Sequence, residues 1–150
     1  MQVIEICTKD PVTAQMNDSV MKAAYRMRAE HVGDLVVVDH KDGKEIPAGI
    51  LTDRDIVVAL LGAGQTDLDD VPVRDAMTKA VIVARADDDV DAVLSNMDSN
   101  GIRRVPVVDD EDRLVGLLAY DDVVAFMARR LGVLSRVVRR GVAREKQEKK

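Results

Sequence analysis

The chain contains itself twice. Sliding it by 70 positions lays "TKDPVTAQMNDSVMKAAYRMRAEHVGDLVVVD" (residues 8–39) over "TKAVIVARADDDVDAVLSNMDSNGIRRVPVVD" (78–109) without a gap. Thr8, Lys9, Ala14, Asp18, Val20, Met27, Val37, Val38 and Asp39 recur as the same residue types, nine identities in 32. Shortening the next loop by three residues aligns "GILTDRDIV" (49–57) with "GLLAYDDVV" (116–124). A repeated unit of about 60 residues buries too little apolar surface to be comfortable alone. Two such units are expected to pack sheet to sheet, leaving clefts along a pseudo-twofold axis, where small ligands usually sit.

Each unit reads the same way locally. Asn17, Asp18 and Ser19 offer helix caps, followed by Val20, Ala23, Ala24 and Met27 at helical spacing. Asp87 to Asp89 place acids at the positive end of the second unit's helix, with Val90, Val93, Leu94 and Met97 as its stripe and Gly101 to end it. The continuous apolar runs Leu35–Val38 and Val105–Val108 read as buried strands. Second strands are expected over Ala48–Leu51 and Leu114–Leu118, and helices start within "TDRDIVVALL" and "AYDDVVAFMARRL". With a short strand near Val12 or Ile82, the unit is β-α-β-β-α, an α+β fold. The expected boundaries are 5–64 and 72–131 for the repeats, 65–71 for a linker and 132–150 for an extension.

Composition narrows the classes. Aromatic residues make up only 2% of the chain, with no Trp, which disfavours a base-stacking nucleic-acid surface. A single cysteine, Cys7, excludes an intramolecular disulfide framework and fits a reducing cytosol. No apolar run approaches the ~20 residues that span a bilayer, and the first residues carry no signal-peptide h-region, so a cytoplasmic location is expected. His31, His40 and Cys7 match no metal-ligand spacing, and no metal is expected. The six methionines from Met16 to Met127 read as core filler. No residues pair a nucleophile with a base, and no phosphate-cradling glycine loop exists, so catalysis has no support.

Within "GILTDRDIV", Thr52 and Asp55 have the spacing of a capping box, in which hydroxyl and carboxylate satisfy the free N–H groups of a helix start. The same N–H groups, beside a hydroxyl and carboxylates, can instead hold a polar ligand. Both readings stand on the residues alone. Arg103 and Arg104 read from the residues alone as surface charges answering the acidic body.

The duplicated "GILTDRDIV" pattern, "IRRVPVVDDEDRLVGLL", the 70-residue spacing and "DAMT" before the second unit resemble tandem CBS domains, named after cystathionine beta-synthase. The resemblance covers about residues 5 to 131. It implies a non-catalytic regulatory module, needing no cofactor, that binds adenosyl ligands such as AMP, ADP, ATP or S-adenosylmethionine. The family's Gly-x-x-Thr/Ser-x-x-Asp motif is complete at Gly49, Thr52 and Asp55. By resemblance Asp55 accepts from ribose hydroxyls, Thr52 contacts phosphate, and Arg54 answers phosphate or a neighbouring acid. The adenine is placed against Pro11, Val12, Thr13 and Leu35, with Arg103 or Arg104 reaching phosphate from the other repeat. In the second repeat Ala119 replaces the hydroxyl, so a weaker site is expected at Val81, Ile82, Val83 and Asp122. The family also implies a homodimer.

Residues 129–150 carry nine Lys/Arg and two Glu, a net +7, against 13 basic and 25 acidic residues, a net −12, in the rest. Leu131, Leu134, Val137 and Val138 lie at helical spacing in this tail. The tail either continues the last helix to pack on a sister subunit or docks on an acidic partner, anionic lipid or nucleic acid. Gly132 and Gly141 are expected to weaken a single rigid helix. The alternative function is therefore a ligand-independent dimeric interaction protein acting through this tail.

Overall fold

A computed structural model describes residues 1–79 and 82–149. Its elements are β1 (Thr8–Lys9), β2 (Thr13–Gln15), α1 (Val20–Glu30), β3 (Asp34–Lys41), β4 (Lys44–Thr52), α2 (Val73–Ala76), β5 (Thr78–Lys79), β6 (Ala84–Arg85), α3 (Val90–Asn100), β7 (Arg104–Val108), β8 (Leu114–Ala119) and α4 (Tyr120–Glu148). They form two four-stranded sheets, β2-β3-β4-β5 and β6-β7-β8-β1. Within each sheet the long hairpin is antiparallel and β2 or β6 joins it in parallel.

Alternation along β3 explains why its sequence is continuously apolar. Leu35 and Val37 point into the core under α1, while Val36 and Val38 join Leu117, Ile50 and Leu114 in a second cluster between the repeats. Side chains of a strand alternate faces, so a strand covered on both sides must be apolar throughout. Ser19 accepts from Lys22 N at 3.1 Å to start α1, and His31 ends it in the left-handed region at φ 54°. Gly101 ends α3 in the same way at φ 63°.

The packing units interleave in sequence. Val3 and Val73, 70 positions apart and both wholly buried, each complete the core of the other repeat. Val3 N donates to the Asp88 carbonyl at 2.9 Å, and Val73 N donates to the Asp18 carbonyl at 2.8 Å. In consequence β1 pairs with β8 of the second repeat, and β5 pairs with β4 of the first. Both long hairpins carry a register shift at matched places, Val37/Val38 and Val107/Val108.

The two helices that follow the motifs differ. After β4 the chain makes a π-helical segment, Asp55–Leu60, then a 3-10 turn, Leu61–Ala63, ending at Gly64 with φ 88°. After β8 a single α-helix runs for 29 residues, through Gly132 and Gly141. Each glycine costs about 1 kcal/mol relative to Ala. The surrounding Arg, Leu and Ala are good helix formers, and Arg144 pairs with Glu148 at 2.8 Å one turn on. No helix among the described residues is long and apolar enough to cross a membrane.

Candidate functional site

Two clefts of about 240 Å³ each lie between the repeats and are related by the repeat symmetry. One is lined by Ile50, Thr78, Lys79, Ile82, Arg104 and Pro106, together with Asn100 and Ile102. The other is lined by Asp10, Pro11, Val12, Asp34, Asp121 and Asp122, with Thr8, Val32, Leu117 and Ala119. They are called below the Lys79 cleft and the Asp122 cleft. The interleaved strands build them: β5 brings Thr78 and Lys79 beside Ile50 and Gly49 of β4, and β1 brings Thr8 beside Leu117 of β8.

At the end of β4, Thr52 N donates to Asp55 Oδ2 at 2.9 Å and Asp55 N donates to Thr52 Oγ1 at 3.1 Å. This reciprocal box turns the strand into the next helix and leaves Asp55 Oδ1 available to accept further hydrogen bonds. Asp122 makes one half of the same box, accepting from Ala119 N at 3.3 Å. Ala119 has no oxygen with which to return it. Thr52 and Asp55 thus hold, after Ile50, the positions that Ala119 and Asp122 hold after Leu117 in the other cleft.

The structure groups the anticipated residues differently from the sequence reading. Pro11 and Val12 were expected beside Thr52 and Asp55, but they line the Asp122 cleft, because β1 leads into it from the second sheet. Leu35 offers no side chain to either cleft; it is wholly buried in the first repeat's core. Thr13 opens β2 opposite Val36, half-buried. Arg54 is exposed, and its N–H donates to Asp53 Oδ1 at 2.8 Å. Arg103 is exposed too, its guanidinium 5.9 Å from the centre of the Tyr120 ring. Ile82 lines the Lys79 cleft and, with Val83, a separate groove beside Asp88 and Asn96. Val81 lies outside the described residues.

Arg104 is the residue common to both clefts. Its Nε donates to Asp34 Oδ2 at 2.6 Å, linking positions 70 residues apart across the pseudo-twofold axis. Lys44 and Glu111 form a second ion pair between the repeats at 3.0 Å. Thr78 and Lys79 escaped the sequence reading as site residues, although their identity with Thr8 and Lys9 at the 70-residue offset was the available signal. Among the described residues no three His, Cys, Asp or Glu side chains converge on a metal position.

Comparison with known proteins agrees with this geometry. The CBS domain family model matches residues 3–62 and 73–129. An uncharacterized protein of Methanopyrus kandleri is 34% identical over 124 residues, covering 83% of this chain and 61% of that one. The L-aspartate semialdehyde sulfurtransferase of Methanocaldococcus jannaschii is 37% identical over 121 residues, 81% of this chain but 22% of the enzyme. The chain thus spans less than two thirds of these relatives. Among solved structures, the CBS domain pair of protein MJ0100, in complex with 5'-methylthioadenosine and S-adenosyl-L-methionine, superposes with a TM-score of 0.72 at 34% identity, over 87% of this chain and 98% of that one. Two matched repeats, two sheets and the interleaved strands have one explanation: the chain belongs to the CBS domain family as a tandem pair.

Proposed function

We propose that this chain is a non-catalytic regulatory module that binds an adenosyl ligand, an adenine nucleotide foremost, in the clefts between its repeats. The observation that carries the reading is the Thr52–Asp55 box. It sets a carboxylate and a hydroxyl at the start of a helix, at the positions matched by Ala119 and Asp122, which line the other cleft. A carboxylate can accept from both hydroxyls of a ribose, and helix N–H groups favour phosphate. The ligands bound by the MJ0100 pair, both adenosyl compounds, support the same class here.

Each cleft is built from both repeats, so a bound ligand favours one relative pose of the two. A partner that distinguishes the poses reads the occupancy. A thermal-shift panel of AMP, ADP, ATP, S-adenosylmethionine and 5'-methylthioadenosine tests the reading. A compound that binds the folded state must raise Tm; a flat response to the whole panel contradicts it.

The module is further proposed to act as a homodimer. Val124, Met127, Leu131, Leu134 and Val138 follow the 3-4 spacing of a helix-pairing seam, and each is more than half exposed. Val57, at the position in the first repeat that matches Val124, is exposed as well. A second copy is the fitting occupant, because the seam is self-complementary and the +7 tail answers the −12 body.

A further inference from the structure

Positions 34 and 104 are equivalent in the two repeats, yet one carries a carboxylate and the other a guanidinium. The pair they form is half-buried, with 23% and 28% of the two side chains exposed. This difference, together with Asp121 where the first repeat has Arg54 and Asp10 where the second has Ala80, splits the clefts electrostatically. The described lining of the Lys79 cleft carries the cations Lys79 and Arg104, and Asp55, matched to Asp122, is the acid that the repeat brings to that side. The described lining of the Asp122 cleft carries Asp10, Asp34, Asp121 and Asp122, with Arg104 as the one cation among them. The hydroxyl follows the same division by repeat symmetry: Ala119 lines the anionic cleft, and Thr52 holds the matched position in the first repeat. Low-dielectric walls amplify such local charge over its value in water.

We propose that the two clefts sort adenosyl ligands by charge. The Lys79 cleft takes a phosphorylated one and the Asp122 cleft takes an uncharged or sulfonium-bearing one. The inference rests on the adenosyl-binding reading above and goes beyond it, because it turns the second cleft from a weakened copy into a site with its own ligand class. The Asp34–Arg104 pair connects the two choices. A phosphate in the Lys79 cleft competes with Asp34 for Arg104. Once Arg104 turns to the phosphate, the Asp122 cleft has lost that cation, and its carboxylates hold a sulfonium more tightly. By linkage the sulfonium ligand must raise the affinity for the phosphorylated ligand by the same factor.

Calorimetric titration of the full chain with AMP and with S-adenosylmethionine, separately and in sequence, tests this. Asp55→Ala is expected to weaken AMP at least tenfold and leave S-adenosylmethionine unchanged, and Asp122→Ala to do the reverse. Each ligand should strengthen the other severalfold, and Asp34→Asn should abolish that coupling while weakening S-adenosylmethionine. Asp55→Asn and Asp122→Asn, which keep the side-chain shape, stand in for any alanine variant that fails to fold. If one variant weakens both ligands equally, or if only one of the two binds, sorting is overturned while the adenosyl reading survives. If neither ligand, nor any other adenosyl compound, binds the wild-type chain, the adenosyl reading itself falls.

Discussion

A Cβ placed on Gly116 would stand 2.6 Å from Cys7 Sγ and 3.1 Å from the Thr8 carbonyl oxygen. The matched Gly49 has the same neighbours 70 positions on: Met77 Sδ at 2.5 Å and the Thr78 carbonyl oxygen at 2.7 Å. These glycines exist so that the strand from the other repeat can lie flat against β4 or β8. Glycine here serves close backbone approach rather than an unusual φ. Gly49→Ala and Gly116→Ala are each expected to cost about 1–3 kcal/mol by overpacking, read as a lowered urea midpoint. Gly43, whose Cβ would meet nothing within 4 Å but whose φ is +75°, is the comparison case, with a cost set by backbone strain alone.

The two motifs differ by one hydroxyl. Removing it with Thr52→Ala leaves Asp55 N without its partner and is expected to cost about 0.5–2 kcal/mol of stability, together with a loss of nucleotide affinity. Supplying it with Ala119→Thr should complete the second box and raise stability by about 1 kcal/mol. Chemical denaturation of both variants checks this. A destabilised Ala119→Thr would show that the second junction is shaped against the hydroxyl.

Acid should loosen the first repeat through Asp18. Burial alone would raise its pKa, but the hydrogen bonds from Lys22 and from Gln15 N, with the charges of Lys22 and Arg26, outweigh burial and hold it below its ordinary 3.8. A carboxyl whose pKa falls on folding stabilises the fold above its unfolded value, and that contribution is lost as pH drops through the folded value. Denaturation midpoints between pH 6 and pH 3 should therefore fall less steeply for Asp18→Asn than for the wild type. Asp89 and Asp109, also lowered, keep part of the slope in both. Parallel curves would remove Asp18 from the account.

The seam on α4 makes its own prediction. Leu131→Glu with Leu134→Glu puts two charges among exposed apolar residues and is expected to give a single chain of 16.5 kDa in sedimentation equilibrium, with ligand binding retained. Truncation after Met127 separates the two functional readings. If it abolishes partner capture and leaves nucleotide binding intact, the tail is an interaction element in its own right.

Much of this was legible in the sequence, and for a physical reason. Periodicity is local, so the 3.6-residue stripe of α1 and the continuous run Leu35–Val38 announce a helix and a doubly covered strand. The repeat then fixes that everything happens twice. What stayed hidden is long-range and small. A two-residue strand such as Thr8–Lys9 carries no pattern that says which sheet edge it joins, and that choice decides which cleft Pro11 and Val12 enter. The Asp34–Arg104 contact was hidden for the same reason, since two half-buried charges 70 residues apart declare themselves only when the sheets face each other. The length of α4 was hidden differently: its glycines signalled a break that good helix formers on either side override.

Backbone hydrogen exchange with and without saturating AMP tests the central claim most directly. The expected result is new protection at two stretches together, Thr52–Asp55 and Thr78–Lys79, the ends of neighbouring strands in the first sheet. Protection of Thr52–Asp55 with Pro11–Thr13 instead, or no ligand-dependent protection at either stretch, would contradict it.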